Sequence, residues 1–119
     1  MSYVQLFVLS VPVGKKEAYL AFSAKAAALL QEFGATRIVQ CWGDDVPDGK
    51  ITDFRRAVKA EEGEVISFGW HEYPSKAVRD AVFKKLMEDP RRQELGDAPF
   101  DGKRIILGGF EVLLDVGQS

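Results

Sequence analysis

The chain has little of the side-chain chemistry from which most recognisable active sites are built. Its 119 residues include one cysteine, Cys41, and one histidine, His71. A single cysteine excludes an internal disulfide framework and any multi-cysteine metal site, and it agrees with a reducing compartment. A Ser-His-Asp or Cys-His nucleophilic system would have to be built around His71 alone. No run approaches the roughly 18 consecutive apolar residues that a membrane span requires. Nor is there a glycine-rich phosphate loop; Gly108-Gly109 alone signals a bend. The N-terminal residues lack the basic segment, apolar stretch and cleavage site of a secretory signal, so the expected location is the cytoplasm. Charge of one sign is not concentrated either. The net charge is −2, and the pairs Lys15-Lys16, Arg55-Arg56, Lys84-Lys85, Arg91-Arg92 and Lys103-Arg104 are spread along the chain. That leaves no phosphate-binding patch and makes nucleic acid a poor partner.

What is present reads as one globular domain over residues 1–119, with 46% hydrophobic and 29% charged residues. Val65–Tyr73 is a strand with Ile66, Phe68, Trp70 and Glu72 on one face and Val65, Ser67, Gly69, His71 and Tyr73 on the other. Tyr3–Val11 is likewise apolar at both parities, as a strand covered on both sides would be. Pro12 closes it. Gly14 is the expected N-cap of a helix over Lys15–Phe33, with Ala18, Phe22, Ala26, Leu29, Leu30 and Phe33 on its buried stripe and Gly34 as its stop. Thr36–Trp42 is a further strand, and Pro47-Asp48-Gly49 marks a turn. A short helical turn is expected near Asp53–Ala57. Ser75 is a good N-cap for a second long helix, whose buried row is Val78, Ala81, Val82 and Leu86, widened by Phe83 and Met87. Pro90 ends that helix or starts a short new one. Asp101-Gly102 turns into a last strand, Arg104–Leu107, which Gly108-Gly109 should bend before Phe110–Leu114 continues. Val116–Ser119 reads as a frayed tail.

Strand, helix, strand, repeated once, is the split βαβ or ferredoxin-like α+β arrangement, which puts the first and third strands at the centre of a four-stranded antiparallel sheet. Both long helices cross on one side. The other face would carry an apolar patch larger than a soluble monomer usually exposes, so something should cover it.

The stretches Asp44-Asp45-Val46-Pro47-Asp48-Gly49-Lys50, Phe54 to Ala57-Val58-Lys59-Ala60, Phe68 with Trp70, and Phe100-Asp101-Gly102-Lys103-Arg104 leading to Gly108-Gly109-Phe110 carry a resemblance. From Tyr3 to about Leu114 the chain resembles the YbaA-like family of small bacterial proteins. The resemblance implies a dimeric α+β barrel, in the superfamily that also holds the antibiotic-biosynthesis monooxygenases, with a homodimer formed through the open sheet face. It implies no activity, because that family is itself of unknown function. The chain departs from the family pattern at Gln5, Leu6, His71 and Glu72. Haem-degrading relatives in the superfamily place an axial histidine on the helix after the third strand. Here that helix offers Lys76, Arg79, Asp80, Lys84 and Lys85 and no histidine, so haem chemistry of that kind is not expected, and no cofactor is called for.

A pocket for a small organic, preferably aromatic, ligand is therefore expected on the sheet, lined by Gln40, Phe68, Trp70 and Glu72 with Phe7 or Leu6 from the first strand. If the protein is an enzyme, the resemblance implies cofactor-independent oxygenation or isomerisation of an electron-rich substrate. Glu72 is either a general base at the rim or the partner of an arginine. His71 is expected on the surface or in a satisfied position, and Cys41 reads as a small buried hydrophobe. The acidic loop is not a calcium site: Val46 and Arg55 stand where an EF-hand needs ligands, so a turn stitched by its own carboxylates is the better account. Two other occupants of the open face are possible. Ser67-Phe68-Gly69-Trp70-His71-Glu72-Tyr73 echoes the aromatic core of an RNA-recognition strand, but Ile66 replaces its basic residue and Glu72 adds negative charge. Alternatively, the face is a plain interface with Phe68 and Trp70 as anchors and no ligand.

Overall fold

A computed structural model describes residues 2–117. Four strands, β1 (Tyr3–Pro12), β2 (Arg37–Trp42), β3 (Glu64–Tyr73) and β4 (Ile106–Glu111), form one antiparallel sheet in the order β2-β3-β1-β4. The two strands that are apolar at both parities are thus the two at the centre. They pair over their whole length, from Tyr3 opposite Tyr73 to Pro12 opposite Glu64. Residues directly opposite each other share a face. One face therefore carries Phe7 beside Gly69 and Leu9 beside Ser67, and the other carries Leu6 beside Trp70 and Val8 beside Phe68.

Helix α1 (Lys16–Phe33) and helix α3 (Lys76–Glu88) carry most of the packing on the first face; a single helical turn, α2 (Phe54–Ala57), lies between β2 and β3 in the chain. Gly14 does not cap α1. It lies inside a 3-10 turn, Val13–Lys15, and the capping position falls on Lys15 without a side-chain bond. Gly34 does end the helix. Its φ of 140° is open only to glycine, and its N–H reaches the carbonyls of Leu30 and Gln31. The buried positions of α1 are Tyr19, Ser23, Leu29 and Leu30, while Ala18 is exposed. The helix is rotated from its apolar stripe because Tyr19 and Ser23 find hydrogen-bond partners beneath it.

Ser75 caps α3 by accepting from the Val78 N–H. Val82 is fully buried with Val78, Phe83 and Leu86 packed around it, but Ala81 and Met87 are exposed. The contact line runs along i, i+4 and i+8, which leaves those two on the outer side. The loop before α2 is stitched by Asp53 rather than by Asp44, Asp45 or Asp48. Its carboxylate accepts from the N–H groups of Gly49 and Arg56, and the Arg56 guanidinium donates back to the carbonyls of Gly49 and Lys50.

The last strand differs from the expected one at both ends. Arg104 belongs to a 3-10 turn, Gly102–Arg104, capped by Asp101; β4 then runs unbroken through both glycines and stops at Glu111. Gly108 and Gly109 keep register opposite Leu6 and Gln5. Clearance explains the second glycine: a β-carbon at position 109 would lie 2.3 Å from the Tyr3 hydroxyl and 2.7 Å from Arg79 Nη1. Val116 and Gly117 are irregular and exposed. The rest of the expected tail, Gln118 and Ser119, lies outside the described residues.

Arg104 ties the chain's last third to the sheet. Both of its terminal nitrogens meet the Glu64 carboxylate at 2.8 Å, and Nη1 also donates to Ser10 Oγ and the Lys59 carbonyl. The pair is largely buried, so removing one partner strands the other charge. Arg104→Ala should cost about 3 kcal/mol, read as a lowered midpoint in urea unfolding. The Arg104 guanidinium beside Glu64 holds that carboxyl down at about 2, against its ordinary 4.5. A depressed carboxylate stabilises the fold fully above its unfolded value and loses that contribution as pH falls toward the folded one. Part of the stability should therefore disappear between about pH 4.5 and pH 2, and the Arg104→Ala variant should lack this component in acid-unfolding curves.

Candidate functional site

An apolar hollow of about 160 Å³ on the helix-packed side lies between the sheet and α1, with Phe100 and Ile105 as a lid from the loop before β4. Alternation of strand side chains puts Phe7 and Leu9 of β1, His71 of β3 and Ile38 and Gln40 of β2 along its floor. Tyr19, Phe22, Ser23 and Ala26 descend from α1 at helical spacing. Tyr19 and Phe22 meet the Phe100 ring edge-on, at centroid distances of 5.9 Å each. That geometry favours aromatic pairs and fixes the lid over the cavity.

Two polar devices interrupt the apolar wall. The first is a hydrogen-bonded chain. Gln40 Nε2 donates to Ser23 Oγ at 2.9 Å and to the Tyr19 hydroxyl at 3.3 Å, and Tyr19 lies 2.8 Å from Ser67 Oγ, which also meets the Cys41 carbonyl. Burial pushes the Tyr19 phenol above its ordinary value, so it stays neutral. The second is His71, packed between the rings of Phe7 at 5.5 Å and Tyr73 at 6.4 Å. Among the described residues its buried Nδ1 has no hydrogen-bond partner, and neither does the hydroxyl of Tyr73 deeper in the core. Burial pushes the imidazole down to about 4 and the Tyr73 phenol up to about 12. His71 is thus half-buried rather than on the surface, and its Nδ1 is unsatisfied among the described residues.

The five residues expected to line one pocket divide between the two faces. Phe7 and Gln40 lie at the helix-side cavity, both registered against Gly69. Phe68, Trp70 and Glu72 point to the opposite, open face. There Phe68 meets Phe54 and Trp70 at 6.3 Å each, and the indole N–H of Trp70 donates to Glu72 at 2.8 Å. Glu72 also stands 3.9 Å from Arg37, as in the arginine-paired alternative. Leu6, the other strand-one candidate, is on this open face with Val4 and Val8. Cys41 is exposed there rather than buried, because β2 is an edge strand whose open-face side chains have no neighbour beyond them. Among the described residues no three His, Cys, Asp or Glu side chains gather as metal ligands do, and no helix is long and apolar enough to cross a membrane.

Reading the sequence missed Tyr19, Ser23 and Phe100. Tyr19, Phe22, Ser23, Ala26 and Leu30 share a helix face at i, i+3, i+4, i+7 and i+11, a signal masked by the serine in the middle.

The model of the family described as "Protein of unknown function (DUF1428)" matches residues 2–102. The chain belongs to this family. It is 62% identical over 116 residues to Uncharacterized protein YbaA of Escherichia coli (strain K12), covering 97% of this chain and 99% of that protein. A solved dimeric ferredoxin-like protein of unknown function from Jannaschia sp. CCS1 is similar with a TM-score of 0.57 at 18% identity, over 92% of this chain and 99% of that one. A second dimeric ferredoxin-like protein, from an uncultured marine organism, also reaches a TM-score of 0.57, at 10% identity over 97% and 98% of the two chains. The ferredoxin-like α+β fold is thus shared with both.

The state of His71 is directly measurable. Its ring signals should titrate near pH 4 by NMR rather than at the ordinary 6.5. A histidine kept neutral by folding binds its proton more readily when unfolded, so stability should fall as pH drops from about 6.5 to 4. His71→Phe should flatten stability over that window.

Proposed function

We propose that this family member is a homodimer closed through its open sheet faces, and that each protomer holds a small, mostly aromatic molecule in its helix-side cavity. The observation that carries the ligand reading is the buried Nδ1 of His71, which has no partner among the described residues, at a largely apolar cavity. Leaving such an atom unpaired costs about 1–3 kcal/mol. A ligand that supplies the missing partner recovers that cost. A dry cavity on the order of 150 Å³ lined by aliphatic and aromatic side chains takes up benzene, so a single ring with one hydroxyl, a phenol or catechol, matches the space and the polarity. Its ring would face Phe7, Phe22 and Phe100, and its hydroxyl would turn to His71 or to the Gln40–Tyr19 chain.

A histidine that titrates near 4 is a weak base at neutral pH. The arrangement therefore favours holding and orienting the ligand over abstracting a proton from it. Oxygenation or isomerisation of the kind the superfamily implies would have to draw on the reactivity of the bound, electron-rich ring itself.

The open face supports the dimer reading. Val4, Leu6, Val8, Val39, Phe68 and Trp70, with the exposed Ile106 and Phe110 of β4, make a continuous apolar sheet surface. Glu72, its one central carboxylate, is already held by Trp70 and Arg37, so it neither serves a ligand nor welcomes a nucleic-acid backbone. Both solved relatives of like fold are described as dimeric. The exposed, free thiol of Cys41 fits a cytoplasmic protein.

Trp42 packs against Tyr19 at 6.3 Å, so it reports on the cavity wall, whereas Trp70 is on the other face. In a Trp70→Phe background, phenols and catechols should change Trp42 emission, and Ala26→Leu, which fills the cavity, should weaken binding at least tenfold. If no member of such a panel binds at millimolar concentration by emission or calorimetry, the ligand reading fails. The unmodified protein should sediment as a dimer at micromolar concentration and Leu6→Asp as a folded monomer. A monomer in the unmodified protein would overturn the dimer.

A further inference from the structure

We infer that Phe100 is both the gate and the size filter of the helix-side cavity. It is carried on a lid, residues 97–101, which Asp101 latches to Arg104 and which turns out between Gly96 and Gly102 to pass a ligand, then closes over a single ring. The inference rests on the ligand reading above and adds to it how the site is entered and what it rejects.

The floor of the cavity belongs to the sheet, and its α1 wall is tied down by the Gln40–Tyr19–Ser67 chain. The stretch between α3 and β4 is built differently. It consists of two 3-10 turns, Pro90–Leu95 and Gly102–Arg104, with residues 96–101 irregular between them. Among the described residues, no hydrogen bond joins residues 97–103 to α1 or to the sheet. Their bonds are local: Asp101 accepts from the N–H groups of Lys103 and Arg104 and, at 3.1 Å, from Arg104 Nε. The contact that holds the middle of the stretch down is the Phe100 ring, set edge-on to Tyr19 and Phe22. A segment with few buried contacts and no ladder to its neighbours is the part of a wall that opens first.

The two ends are fixed. Arg91 Nη1 donates to the Glu32 carboxylate of α1 at 3.0 Å, and Arg104 holds the Glu64 carboxylate of β3. Between these clamps stand two glycines. Gly96 has a φ of 74°, and a β-carbon at either Gly96 or Gly102 would meet nothing within 4 Å, so both have room to turn. Ala98-Pro99 stiffens the stretch that presents Phe100, because proline fixes its own φ and restricts the residue before it. The tip therefore moves as a unit. The latch is the weaker of the two bonds to Arg104. The Asp101 carboxylate is 45% exposed, so water takes the place of the guanidinium as the lid leaves, whereas Glu64, at 9%, keeps its arginine. With Phe100 seated, the hollow of about 160 Å³ has room for one ring. A second fused ring would have to occupy the place of Phe100.

Asp101 does not line the cavity, so it is a positioning residue that acts on passage and not on the resting site. The probe is 4-fluorophenol, whose exit rate is read from fluorine NMR line shapes and whose affinity is read by calorimetry. Asp101→Ala should raise the exit rate at least fivefold and the entry rate in step, leaving Kd within twofold. The unmodified protein should bind 2-naphthol at least tenfold more weakly than 4-fluorophenol, and Phe100→Ala should abolish or reverse that preference while Phe100→Tyr keeps it. Circular dichroism should be unchanged in all three variants. If the unmodified protein does not bind 4-fluorophenol, the ligand reading falls and the gate with it. If it binds, yet Asp101→Ala leaves the exit rate unchanged or folded Phe100→Ala still rejects 2-naphthol, the gate is overturned while the ligand reading stands.

Discussion

The ladder between β1 and β3 sets everything else. Ten consecutive residue pairs place two doubly apolar strands side by side at the sheet centre. Because side chains alternate, burying one face obliges the other to find cover as well. The helices satisfy the first demand with Val82, Leu30 and Tyr19. The second is left with Val4, Leu6, Val8, Phe68 and Trp70, of which Phe68 packs against Phe54. A fold of this kind is complete in topology and unfinished in burial.

Gly69 links that ladder to the cavity. A β-carbon there would lie 2.4 Å from the Val39 carbonyl and 2.5 Å from Phe7 Cζ, so the glycine lets the Phe7 ring lean across β3 toward β2. The ring then meets His71 from the side and forms the cavity floor. On the roof, Tyr19 and Ser23 bond to Gln40 and Ser67, which holds α1 at a height set by hydrogen bonds rather than by close apolar packing. Interiors are otherwise filled to crystal-like density. A polar strut between helix and sheet is a physical reason for space to remain here.

Much of the architecture was legible because it depends on periodicity. The order of elements, the central strands, the helical turn near Asp53–Ala57, the cap at Ser75 and the stop at Gly34 all follow from patterns local to the chain. The failures lie where partners distant in sequence decide. Tyr19 is buried because Ser67 waits below it, and Gly109 is a glycine because Arg79 passes over it to reach Gln5 at 2.6 Å. Arg104 leaves the last strand because Glu64 and Ser10 hold it. Cys41 is exposed because β2 is an edge, which its own composition does not announce. The expected pocket mixed Phe7 and Gln40 with Phe68, Trp70 and Glu72 for a related reason. Aromatic residues mark important positions on a sheet, but only register shows that these two sets lie back to back.

That opposition gives the two faces separate chemistry on shared strands. His71 and Glu72 are neighbours in sequence, yet the first is a neutral ring with a buried, idle nitrogen and the second a carboxylate held by an indole and an arginine. A group idle in an apolar cavity is one whose interaction is still to be made, whereas a group already bonded on an open face has its orientation fixed and little left to offer a small molecule. The same logic distinguishes the two sorts of exposed carbon. Phe68 and Trp70 are half-buried and braced by each other and by Phe54, as a surface prepared for a flat partner would be. Leu113 and Leu114 are instead almost wholly exposed. A rigid apolar face is completed by a complementary face rather than by a small molecule.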